Sequence, residues 1–84
     1  MYYTVTKVEY LTEYKLLLTF NDGAVKAVDL NSRIQGRGGI FKELLDKDYF
    51  RQVRLTSESI EWPNGFDICP NLLYEIGTEV AKIA

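Results

Sequence analysis

The sequence predicts an α+β fold: an antiparallel β-sheet of about five strands, in the order β-β-β-α-β-β-α, with helices packed on one face. Three observations predict it. Asp22-Gly23 separates two strand-like runs, the segment from Ile40 to Val53 spaces its apolar residues by threes and fours, and two short β-rich runs flank Ser57-Glu58. A chain of 84 residues reads as one domain, 1–84, and a domain of this size buries only about two thirds of the surface its unfolded chain exposes. Its composition, 46% hydrophobic and 13% aromatic, is enough for one core and places it outside the disordered class.

The first strand is expected within Tyr3 to Leu11, where Val5, Val8 and Tyr10 have threonine and charged residues between them, and it ends near Thr12-Glu13. Lys15 to Phe20 and Ala24 to Asp29 follow as a hairpin, because Asp-Gly supplies the positive φ angles of a type I′ turn. With Asp22-Gly23 as a two-residue loop, Phe20 faces Val25, Leu18 faces Ala27 and Thr19 faces Lys26. In the middle, Ile40, Phe41, Leu44, Leu45, Tyr49, Phe50 and Val53 fall on one helical stripe. Asp46 can cap a second short turn at Lys47, so a broken helix is expected from Phe41 to about Gln52. With Ser57-Glu58 as a loop, Leu55 pairs with Ile60, Val53 with Trp62 and Arg54 with Glu61, a self-consistent second hairpin. Pro70 suits the first turn of a last helix carrying Leu72, Leu73 and Ile76. Gly77 either ends that helix or only weakens it, since Val80 and Ile83 continue the stripe; residues 77–84 are then a helical or a flexible tail.

Charge and composition exclude several kinds of chemistry. Ten Lys and Arg against 12 Asp and Glu give a net charge of −2, with the signs interspersed. Autonomous nucleic-acid binding, which rests on neutralising phosphates, is therefore not expected. The chain has no histidine, which removes the commonest general base and the commonest metal ligand, so no catalytic residue, metal site or cofactor is expected. Asp46 with Asp48 and Glu58 with Glu61 are read as caps and solvated or cross-strand partners instead of catalytic pairs. Cys69 is the single cysteine; no intrachain disulfide can form, and it reads as a small buried hydrophobe. The N-terminus lacks a charged region followed by an apolar stretch, and no window reaches the length of a membrane span, so the chain reads as cytoplasmic and not membrane-bound.

Two segments stand out as candidate contact surfaces. Arg33-Ile34-Gln35-Gly36-Arg37-Gly38-Gly39 matches neither a P-loop nor a dinucleotide fingerprint, and it reads as a flexible connection whose Arg33 and Arg37 are free to touch a partner. In Trp62-Pro63-Asn64-Gly65-Phe66-Asp67, Pro63 and Gly65 suit a type I turn, and Asp67 is placed to cap the last helix. Trp62 and Phe66 suit core or interface equally.

The run from Trp62 to Asp67, followed by Pro70 and by Leu73-Tyr74-Glu75, closely resembles a small bacterial family known as domain of unknown function 2442. The likeness extends upstream through Leu16-Leu17-Leu18-Thr19-Phe20-Asn21-Asp22-Gly23 and through Phe41-Lys42-Glu43-Leu44 to Tyr49-Phe50. The resemblance implies an α+β domain, often encoded beside a second small protein and described as the antitoxin of a toxin–antitoxin pair. Gln35 to Gly39 looks longer than the family's usual loop. The sequence also stops without the helix-turn-helix extension of some longer members, which argues against direct promoter binding by this chain alone. The expected function is thus non-enzymatic: an interaction module that binds a small partner protein, the toxin, through Trp62, Asn64, Phe66, Asp67 and Tyr74, with Arg33 and Arg37 alongside. A homodimer through the same surface is the nearest competitor. A nucleic-acid-binding regulator and a small-ligand-binding domain are the alternatives from other classes.

Overall fold

In the computed structural model, which describes residues 2–36 and 38–80, β1 (Val5–Tyr10), β2 (Lys15–Phe20) and β3 (Val25–Asp29) form an antiparallel meander. Short helices α1 (Asn31–Ile34), α2 (Ile40–Leu44) and α3 (Lys47–Phe50) follow. Then come β4 (Arg54–Leu55), β5 (Ile60–Glu61), β6 (Asp67–Ile68), helix α4 (Pro70–Ile76) and β7 (Thr78–Glu79). The fold is α+β with antiparallel pairing, as the sequence predicts. Its strands divide into two sheets, β1-β2-β3-β7 and β4-β5-β6.

The first hairpin differs from its expected register by one residue. Thr19 pairs with Val25, Leu18 with Lys26, Leu17 with Ala27 and Leu16 with Val28. The loop has three residues, not two. The Phe20 N–H donates to the Ala24 carbonyl at 2.9 Å, and the Gly23 N–H donates back to the Phe20 carbonyl at 2.9 Å. Gly23 has φ +88°, the left-handed conformation that ends a three-residue hairpin loop. A one-residue slip exchanges the two faces of a strand. Leu16, Leu18 and Phe20 therefore point into the core with Val28, and Lys26 shares their face. Its ammonium is compensated by lying 3.7 Å from the centre of the Tyr74 ring and donating to the Tyr74 carbonyl at 2.8 Å.

A bulge in β1 solves a related problem of parity. Val5 and Val8 are three apart and would face opposite sides of a regular strand. The pairing shifts between Val5↔Phe20 and Lys7↔Thr19, so Thr6 is the extra residue and both valines turn inward. The resulting core joins both sheets and the helices: Leu16, Leu18, Phe20 and Val28 meet Leu30, Ile34, Leu44, Phe50, Ile60, Trp62 and Leu73. At its centre the Phe50 ring lies 5.4 Å from Tyr14 and 5.5 Å from Trp62.

The broken helix is present as α2 and α3, and Asp46 caps the second piece by accepting the Asp48 N–H at 3.0 Å. The second hairpin has the expected register, Arg54↔Glu61 and Leu55↔Ile60. Three expectations are corrected downstream and in the loop before α2, and the choice left open at Gly77 is decided. Arg33 does not sit in a flexible connection: Asp29 accepts the Asn31 N–H at 2.9 Å and starts a helical turn whose flanking Leu30 and Ile34 are buried. Asp67 is no helix cap, because it belongs to β6, which pairs Glu61↔Asp67 and Ile60↔Ile68. The residue capping α4 is Cys69, without a side-chain hydrogen bond. Cys69 is exposed, not buried, because strand alternation turns Ile68 inward and its neighbours outward. Finally, Gly77 ends α4, and the chain returns as β7 beside β3, pairing Lys26↔Glu79 and Ala27↔Thr78. A Cβ at Gly77 would come within 2.9 Å of the Lys26 Cβ, so glycine permits this close return. Ile83 and the rest of the proposed tail beyond Val80 lie outside the described residues.

Candidate functional site

The turn at the start of β6 repeats the architecture of the first hairpin. The Trp62 N–H donates to the Phe66 carbonyl at 2.9 Å, the Gly65 N–H to the Trp62 carbonyl at 2.8 Å, and Gly65 has φ +88°. Asn64 Oδ1 accepts the Phe66 N–H at 3.0 Å, as Asp22 Oδ1 accepts that of Ala24. This explains why the segment folds as it does: proline presets the first turn position, and Asn-Gly closes the loop.

The structure separates the expected contact residues. Trp62 is fully buried, and its Nε1–H donates to the Phe50 carbonyl at 2.9 Å. It is therefore a core residue and not a contact surface, since its ring packs under α3 and its one polar atom is satisfied internally. Asn64 is half-buried and spends its amide on the turn and on Glu43 Oε1, 3.4 Å away. Tyr74 belongs to a different cluster. It stacks on Tyr3 at 3.6 Å, meets Phe20 edge-on at 4.9 Å and donates its hydroxyl to Asp22 Oδ2 at 2.6 Å. That bond pushes the Tyr74 hydroxyl well above the usual tyrosine range and holds the Asp22 carboxyl below its own. Tyr74 thus ties α4 to the first hairpin. Arg37 lies outside the described residues.

Arg33, Phe66 and Asp67 do come together. They line a groove of about 220 Å³ between α1 and β6, with Leu30, Ile34, Phe41, Ile68, Cys69 and Leu72. Phe66 forms part of its apolar lining, its ring 4.8 Å from Phe41 and 5.7 Å from Trp62. Four consecutive residues, Phe66 to Cys69, line it. Alternate side chains of a strand point to opposite faces, so the groove runs along the strand's edge. Among the described residues neither Arg33 nor Asp67 has an ion-pair partner. No three His, Cys, Asp or Glu side chains converge on a metal-holding position among these residues, and no helix is long and apolar enough to cross a membrane.

The model of the family described as protein of unknown function, DUF2442, matches residues 5–79. The chain belongs to that family. The match spans both DUF2442 hairpins, the groove and the return strand β7, so the site lies within the part shared with the family. No curated protein and no solved structure matches this chain.

Sequence reasoning found Phe66, Asp67 and Arg33 but missed β6 and its edge. A signal was present. Phe20-Asn21-Asp22-Gly23-Ala24 and Trp62-Pro63-Asn64-Gly65-Phe66 share the pattern aromatic, any, Asx, Gly, apolar, and the second copy implies a strand after Gly65 as the first does after Gly23.

Proposed function

We propose that this DUF2442 chain is a non-enzymatic interaction module that binds a small partner protein in the cytoplasm, as the antitoxin of a bacterial toxin–antitoxin pair does. The observation that carries the reading is the groove between α1 and β6. Apolar walls there stand beside one cation and one carboxylate that have no ion partner among the described residues, the combination of an apolar anchor site and a polar rim that protein interfaces use. The sequence has no histidine, the commonest general base, which favours the non-enzymatic reading. Interspersed charge and a net value of −2 favour a protein over a nucleic acid as the partner.

The test is to co-express the tagged chain with the product of the adjacent gene. The parent should co-purify with it, while Arg33→Glu and Phe66→Ala, each first shown to melt cooperatively, should retain less than about a tenth of the partner, given that an interface anchor is worth more than about 1.4 kcal/mol. A parent that never co-purifies with its neighbour overturns the reading.

A further inference from the structure

β6 pairs with β5 on one side, and its other edge faces the groove. Antiparallel neighbours alternate between hydrogen-bonded and non-hydrogen-bonded pairs. Trp62 and Phe66 are a bonded pair, with the Trp62 N–H 2.9 Å from the Phe66 carbonyl. The next pair, Glu61↔Asp67, is therefore of the other kind, and the Asp67 N–H and C=O point away from β5 toward the groove. The outer face of this small sheet carries a row of charges across its strands. Arg54 stands opposite Glu61, with Arg54 Nη2 3.1 Å from Glu61 Oε1, and Glu61 stands opposite Asp67. The row reads plus, minus, minus. Two carboxylates are adjacent, and the outer one has no cation partner among the described residues.

We propose that the edge of β6 receives an extended segment of the partner protein as an added strand, with a Lys or Arg opposite Asp67 and apolar residues on either side of it. Strand addition satisfies the outward N–H and C=O of Asp67 by main-chain bonds. The residue opposite Asp67 extends the charge row, so a cation there completes plus, minus, minus, plus, since opposite charges stabilise cross-strand positions and like charges do not. Its two neighbours project to the other face, alongside Phe66 and Ile68, where the groove walls are apolar. The inference rests on the protein-interaction reading and adds to it the mode of contact and the chemistry of the bound segment.

The experiment uses the full ¹⁵N-labelled chain and two synthetic peptides, acetyl-Ser-Val-Lys-Val-Ser-amide and its counterpart with Glu in place of Lys. Titrated to millimolar concentration, the Lys peptide should shift the amides of Phe66 to Cys69 and slow hydrogen exchange at the Asp67 N–H. It should bind up to about fivefold more tightly than the Glu peptide, the size of one cross-strand charge pair. Asp67→Lys, in an exposed position where it faces Glu61, should keep the fold and reverse the preference. Shifts centred elsewhere, no shift at all, an unprotected Asp67 N–H or equal affinity for the two peptides would each overturn the inference. Co-purification separates it from the broader reading. A neighbouring gene product held equally by the parent and by Asp67→Lys defeats the strand-addition mode and leaves the interaction module standing, whereas specific peptide binding without any co-purified neighbour leaves the mode standing and defeats the partner.

Discussion

The turns Phe20–Ala24 and Trp62–Phe66 have the same backbone plan, down to a glycine at φ +88° and an Asx side chain bonded two residues ahead. Their surroundings differ. The first delivers β3, which is paired on both sides, by β2 and by β7. The second delivers β6, which among the described residues is paired only by β5. Ala24 follows the first glycine as a small residue, while Phe66 follows the second and lines a groove. Asp22 is held by Tyr74 from α4, whereas Asn64 reaches Glu43 of α2. The same backbone plan thus leads to a covered strand in one place and an open edge in the other. The distinguishing element is β7, which returns over Gly77 to cover β3 and has no counterpart beside β6 among the described residues.

The strongest way to test the equivalence is to remove the aromatic residue that opens each turn. Phe20 and Trp62 are both essentially unexposed, so Phe20→Ala and Trp62→Ala should each cost about 3–5 kcal/mol. Urea melts would read this as near-complete loss of the folded state in a domain this small. A mild effect at Trp62 would mean that it lies outside the core. Gly23→Val and Gly65→Val should cost less, on the order of 1–3 kcal/mol each, because a β-branched residue resists positive φ. Neither glycine has a neighbouring atom within 4 Å of an added Cβ, so strain alone acts and the two losses should agree. Unequal midpoint shifts in thermal melts would break the comparison.

The third measurement uses the one titrating group in which the turns differ. The hydrogen bond from Tyr74 lowers the folded-state pKa of Asp22 below its ordinary 3.8. A depressed carboxyl contributes stability that is fully present above that ordinary value and is lost as pH falls toward the folded-state one. Asp22→Asn should therefore be less stable than the parent at neutral pH, and its acid limb should be flatter below about pH 4. Asn64→Asp would transplant a titrating group into the second turn, where it faces Glu43 and not a tyrosine hydroxyl as Asp22 does. The smallest expected effect is at the open edge. Asp67→Lys replaces a like-charge pair with Glu61 by an opposite one and should raise stability by about 0.2–1 kcal/mol. A loss of stability would show that the Asp67 carboxylate has an internal partner.

The sequence showed the α+β class, the second hairpin in its correct register, the break at Asp46 and the start of the last helix, since each depends on contacts within a few residues. It also singled out Arg33, Phe66 and Asp67, though not that they share a groove, and it grouped Trp62 and Tyr74 with Phe66, whereas Trp62 is buried and Tyr74 belongs to the cluster around Tyr3. Burial of Trp62 depends on Phe50, twelve residues away, and the position of Tyr74 depends on Tyr3 and Asp22, more than fifty residues away. The first hairpin's register was missed for a subtler reason: Asp-Gly serves two-residue and three-residue loops alike, and the choice follows from which face of β2 the core takes.

Period, turn residues and capping groups are local properties, so the sequence by itself determined the elements and their two turns. Only the tertiary structure decided which strand edge was closed and which was left open. That outcome depends on α4 packing back across β3, where Lys26, Tyr74 and the missing Cβ of Gly77 meet from segments about fifty residues apart. No local pattern encodes such a meeting, because its stabilisation appears only once the core has brought the segments together.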